Sequence, residues 1–173
     1  MLQPKDKLSK WFRFYECYQS ETAARYDIDN VPQEEEIIEA IKYHGRTVLD
    51  PIRGHFGGFS PTSWYRCHDL EKKLCYNSYI KWCEKRNVPV CEASWVVYFG
   101  RKSHPKGEAT DVKIPGVSNI ELYNWIKNDS GIVYDQLILE FVPKDNPYLG
   151  WVHVSSIDES AQRKNRMQAF DIS

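Results

Sequence analysis

The stretch RKSHPKGEATDVKIPG, residues 101–116, sets His104, Gly107, Ala109 and Asp111 in order across a polar turn and into β-forming residues. ATDVKIPG reads as a strand closed by a Pro-Gly turn, since Pro115-Gly116 cannot continue the ladder. A polar turn entering a strand is one reading of the histidine and the aspartate. Two ligands of one metal ion is the other, and it requires the rest of the chain to supply the missing parts.

Downstream, VSNIELYNWIKND predicts a helix opened by a capping box from Ser118 to Glu121, with Val117 as its hydrophobic staple. GIVYDQLILEFV and GWVHVSSI then read as two strands of an antiparallel hairpin joined by the turn-rich PKDNPYLG. Upstream, YQSETAARY predicts a short helix capped by Ser20. NVPQEEEIIEAIKYHGRTVLDPIRGHFGG predicts a longer one, with Pro32 in its first turn, acidic residues at its start, and Ile37, Ile38, Ile41, Val48 and Ile52 on one buried face. Pro51 should kink that helix or start another, and Gly57-Gly58 should end it. FSPTSWY reads as a short strand, CHDLEKKLCYNSYIKWCEKR as a helix with Leu70, Leu74, Tyr79, Trp82 and Cys83 on its apolar side, and VPVCEASWVVYFG as extended. Helices early and strands late predict an α+β single domain, an antiparallel sheet flanked by helices. The helical part covers about 1–57 and the sheet part about 58–160.

A chain of 173 residues can bury a core without staples. The formal net charge of −1 argues against a general nucleic-acid or membrane-surface binder, because those partners select a basic face. No stretch is long and apolar enough for a membrane span, and MLQPKDKLSKWF lacks the apolar region of a secretory signal, so folding in a cytoplasm is expected. Five cysteines, at 17, 67, 75, 83 and 91, fit free thiols better than a disulfide framework, with Cys75 and Cys83 expected in the core.

A metal site needs a third ligand. His153, in GWVHVSS, stands mid-strand on the same side as Trp151 and Ser155. Alone it reads as a core histidine, and beside His104 and Asp111 as a ligand. A hydrolytic site also needs a proton acceptor. Glu140, a carboxylate within the apolar strand DQLILEFV, either faces water at the sheet edge or lies beside the metal, because cross-strand neighbours are only about 5 Å apart. Arg66, at a strand-to-helix junction in TSWYRCHDLEKK, is either a surface arginine or the bidentate grip for a substrate carboxylate.

SHPKGEATD resembles the S-x-H-x-x-G-x-A-x-D signature of the zinc D-Ala-D-Ala carboxypeptidases and related peptidoglycan endopeptidases, whose fold is shared by hedgehog signalling domains. GWVHVS is similar to that family's closing W-x-H segment, TSWYR to its S-x-Y-R segment, and YDQLILEF to the strand before the last ligand. LSKWFRFYECYQSETAARYDIDNVP and VLDPIRGHFG resemble the bacteriophage-encoded branch, so the likeness runs over nearly the whole chain. The resemblance implies a hedgehog/DD-peptidase-like fold and one zinc ion held by His104, Asp111 and His153. It makes Glu140 the general base, and Arg66 the anchor for a substrate carboxylate or carbonyl, with Ser103 as a further substrate contact. The substrate it implies is a peptidoglycan stem or cross-link peptide, cut by a monomeric lysis enzyme or virion-associated hydrolase. Such an enzyme would be made in the host cytoplasm and act on the cell wall. Three positions depart from the pattern. Ser103 directly precedes the histidine, the segment between Arg66 and His104 is long, and Gly150 stands where some members carry their base.

A metal-stabilised binding module of the same fold, and an unrelated virion scaffold, are the competing readings. His68 is expected to face water, His44 and His55 to be surface or capping residues, and Asp135 is a candidate to orient a ligating histidine. SAQRKNRMQAFDIS is expected to form a short helix.

Overall fold

Three strands carry the site: β1 (Ala109–Val112), β2 (Gln136–Glu140) and β3 (Trp151–Ser155). The structure is a computed structural model and describes residues 2–156 and the backbone of 166–167. β3 is central and antiparallel to both neighbours, and Arg166–Met167 (β4) add a short parallel edge to β2, giving the order β1-β3-β2-β4. The register aligns Asp111 with His153 and His153 with Ile138. The two-residue period of a strand then sorts the side chains. Val112, Val152, Val154 and Leu137 enter the main core, while Asp111, His153, Ile138, Glu140 and Trp151 share the other face. The expected hairpin and the α+β class are both present.

Seven α-helices are found among the described residues: α1 (Phe14–Tyr18), α2 (Glu21–Arg25), α3 (Glu35–His44), α4 (Asp50–Phe56), α5 (His68–Arg86), α6 (Glu92–Phe99) and α7 (Asn119–Asn128). Ser20 caps α2, and Ser118 caps α7 by accepting the Glu121 amide at 3.1 Å. α7 packs on β2 and β3, with Leu122 and Ile126 buried in the main core and Val117 against it. α3 begins at Glu35, so Pro32 precedes the helix instead of lying in its first turn. Pro51 neither breaks nor ends the helical path. A π-helical turn, Gly45–Leu49, joins α3 to α4 and widens the backbone where the proline ring would meet the Thr47 carbonyl. Ile41, Val48, Leu49 and Ile52 are fully buried along this path, and it stops at Gly57 with φ +90°. The same core takes in Leu8 and Phe12 from the start of the chain and Val152 from β3, so one core joins the helical and sheet parts. No described helix is long and apolar enough to cross a membrane.

Two segments upstream of β1 take a different secondary structure from the one expected. VPVCEASWVVYFG forms α6 and not a strand. Trp95, Tyr98 and Phe99 stand at i, i+3 and i+4, and they pack on Tyr79, Cys83 and Trp82 of α5 to make a second, small aromatic core. Burial on that face outweighs the β preference of its valines, and Val96 and Val97 are left exposed. FSPTSWY is not a strand either, and only Ser63 bridges to Asp111. Pro61 has no amide to donate, so pairing is confined to the Thr62 and Ser63 amides and the Ser63 carbonyl. That bridge brings Arg66 beside the site.

On α5, Leu70, Tyr79 and Cys83 are buried as expected, but Leu74 is exposed and Cys75 is half-buried. All five cysteines are free thiols. Of the C-terminal segment expected to be helical, Arg166–Met167 are extended instead, and its other residues lie outside the described ones.

Candidate metal centre

His104 opens a single 3-10 turn, His104–Lys106, that ends on Gly107 at φ +74°. A Cβ on Gly107 would stand 2.5 Å from Ile41 Cγ1 and 2.9 Å from the Ile37 carbonyl, so glycine lets this turn lie directly on α3. Two residues later the buried Ala109 starts β1, which delivers Asp111 opposite His153. The spacing of the 101–116 stretch is thus a tight turn followed by one strand, and its outcome is that a ligand atom from each of His104, Asp111 and His153 lies within 4.8 Å of the others.

All three residues are buried. Asp111 Oδ1 lies 3.3 Å from His104 Nε2 and 3.0 Å from His153 Nδ1, close to the edge of about 3.3 Å that a tetrahedron with metal–ligand bonds near 2.0 Å requires. His104 Nδ1 is 2.6 Å from the Trp64 carbonyl, which can only accept, so Nδ1 carries the proton. In the neutral ring, Nε2 then turns its lone pair toward a carboxylate oxygen, an arrangement that calls for a cation between them. Burial, followed by the Arg66 charge, lowers the His104 pKa and favours that neutral ring. For Asp111, burial acts to raise the pKa, but the His153 ring bond and the Arg66 guanidinium hold the carboxyl well below its usual range. The group can hold a metal ion. The acceptor that orients His104 is the Trp64 carbonyl, and Asp135 is buried just before β2 with its amide bonded to the Ser155 carbonyl.

The three residues open on a cleft of about 640 Å³ that also includes Arg66, Ser103, Glu140 and Trp151. Glu140 is paired with Trp151 across the sheet and accepts from its indole Nε1 at 2.8 Å, which fixes one carboxylate oxygen on the cleft face. Gly150 holds φ +75°, and a side chain there would fall on the Glu140 and Phe141 carbonyls, so the backbone itself excludes a base at that position. Arg66 is bonded to Ser63, Glu71 and Asp111. The long segment after Arg66 supplies the facing wall, with Trp82 and Tyr98 projecting from the second core.

Sequence reading missed Glu71, whose side chain is 1% exposed against Arg66. The available signal was its place four residues from both Cys67 and Cys75 on one helical face. It also misplaced His44, which is fully buried rather than a surface or capping residue. Its ring bonds Ser156 Oγ at 2.7 Å and Thr110 Oγ1 at 2.9 Å, tying α3 to the sheet behind the centre. His55 and His68 are exposed, the first stacked on Trp125 and the second accepting from the Trp95 indole.

Burial, with His104 and His153 nearby, pushes His44 down to about 3. Its folded-state value is therefore below its unfolded one, so the unfolded chain binds the extra proton as pH falls below about 6.5. Stability of the metal-free protein is expected to be full above that pH and to fall toward pH 3, with His44 contributing a slope of up to about 1.4 kcal/mol per pH unit. Urea denaturation across this range checks it: His44→Gln should flatten the slope while lowering stability at pH 7.5, and an unchanged slope would assign the acid sensitivity elsewhere.

The fold and site thus define a class, an α+β chain with a buried two-histidine, one-aspartate group suited to a metal ion. No family model matches the chain, and neither a curated protein nor a solved structure matches it.

Proposed function

We propose that this protein is a zinc-dependent peptidase that hydrolyses peptide bonds in bacterial peptidoglycan, built on the hedgehog/DD-peptidase fold and serving a bacteriophage as a lysis enzyme or virion-associated hydrolase. The observation that carries the proposal is the convergence of His104 Nε2, Asp111 Oδ1 and a His153 nitrogen on one face of a sheet whose neighbouring strand places Glu140 in the same open cleft. The resemblance of SHPKGEATD and GWVHVS to the peptidase signatures supplies the substrate class. His104, Asp111 and His153 would hold zinc, which when bound supplies Lewis-acid polarisation of the scissile carbonyl and of the attacking water.

The chain's own groups do the rest. Trp64 fixes the tautomer of His104. Glu140, oriented by the Trp151 indole, takes the proton from the attacking water and returns it to the leaving amine. The cleft is lined by aromatic side chains, Trp82 and Tyr98 from the second core and Phe141 and Trp151 from the sheet, beside which a peptide would lie.

Digestion of purified peptidoglycan tests the reading, with zinc content measured and the new termini identified by mass spectrometry. Native protein is expected to cut, to lose activity on chelation, and to regain it with one equivalent of zinc. A zinc-loaded protein that leaves stem and cross-link peptides intact would sink the peptidase reading and leave a metal-stabilised binding module.

A further inference from the structure

Arg66 is the centre of a buried polar cluster. Its Nε donates to Ser63 Oγ at 2.8 Å, its Nη1 to Glu71 Oε2 at 3.5 Å, and its Nη2 to Asp111 Oδ2. A guanidinium bonded to a metal-ligating carboxylate is a liability, because it cancels the ligand's charge and repels a dication. Here a second carboxylate stands on the other side of the same guanidinium. Glu71 is buried on α5, where it also accepts from Cys75 Sγ at 3.0 Å and lies 3.8 Å from Lys102 Nζ. The charges of Asp111, Arg66, Glu71 and Lys102 cancel in pairs. Without Glu71 an uncompensated positive charge would lie beside the ligands.

Resting on the metal reading above, we infer that Glu71 is a positioning residue of the metal centre, sharing Arg66 with Asp111. Arg66 fixes the outer oxygen Oδ2, while the inner oxygen Oδ1 keeps its charge for an ion between His104 and His153. Arg66 in turn acts on the ligand before it acts on any substrate. The three-part chain from Glu71 through Arg66 to Asp111 explains why an acidic side chain is tolerated in the first turns of α5, where burial without a partner would be costly.

The test is zinc affinity, measured at low ionic strength by competition with a chromogenic chelator, for the native chain, Glu71→Gln and Lys102→Met. Glu71→Gln preserves shape but removes the charge, and it should weaken zinc binding by about tenfold or more. Lys102→Met removes a positive charge whose amine is partly in solvent, and it should tighten binding by about twofold or more. Opposite signs are the signature of charge sharing, since loss of packing at either residue would weaken binding in both. Should Glu71→Gln not fold, the sign for Lys102→Met decides alone. Equal affinities for native protein and Glu71→Gln, or Lys102→Met binding no more tightly than native, would overturn the inference while the metal reading stands. A native protein that binds no zinc would remove both.

Discussion

On the proposed peptidase reading, Glu140→Gln should keep zinc and lose peptidoglycan hydrolysis by a factor of about 10²–10⁴, the usual contribution of a positioned general base. The variant retains a side chain that still accepts from the Trp151 indole, so the geometry of β2 and β3 is preserved and only the proton-accepting capacity is removed. Glu140 is not one of the three candidate ligands, which is why metal content and activity should separate. The readouts are metal content by mass spectrometry and the rate of appearance of new peptide termini. Loss in kcat with KM unchanged would place Glu140 in the chemical step. Activity within threefold of native would remove Glu140 as the base. Because Gly150 cannot carry a side chain, the base would then have to come from a position other than these two.

What the sequence disclosed was whatever is encoded locally. Ser118 beside an apolar helical period fixes the start of α7, and alternation in QLILE and WVHVS fixes both strands and which of their residues share the cleft face. The candidate ligand set was legible for the same reason: a turn glycine and a strand set the separation of His104 from Asp111. α6 was misread because its valines favour strands one residue at a time, whereas its helix depends on aromatic contacts with α5 that are remote in sequence. Glu71 and His44 were hidden for a related reason. A buried charged or polar side chain looks like a surface residue until its partners are known, and those partners are Arg66 on one hand, Thr110 and Ser156 on the other. Arg66 itself was visible, but its engagement with Asp111 depends on the Ser63 bridge, which the broken strand pattern of FSPTSWY does not announce.

Gly107→Ala should destabilise the protein by about 2–5 kcal/mol and weaken metal binding at the same time. Two costs add. An L-residue at φ +74° costs about 1–2 kcal/mol, and forcing a methyl group into a packed contact costs about 1–3 kcal/mol more. The second cost cannot be avoided by a rotamer change, because besides the Ile41 side chain the new Cβ would meet the Ile37 carbonyl at 2.9 Å and the Ile41 amide nitrogen at 3.3 Å, both backbone atoms of α3. The turn must therefore lift off the helix, and His104 lifts with it. Gly116→Ala provides the control: φ is +80° there but nothing lies within 4 Å of the added carbon, so only the conformational cost of about 1–2 kcal/mol applies. Urea denaturation of both variants, metal-free and with zinc, separates the contributions. Gly107→Ala should lose more than Gly116→Ala without metal, and the gap should widen with zinc, since a displaced His104 forfeits binding energy that the folded state alone receives. Equal losses in the two variants would mean that the turn does not lie on α3. The glycine in the 101–116 stretch would then serve backbone freedom alone, and the histidine's position would have to be set by the Trp64 carbonyl.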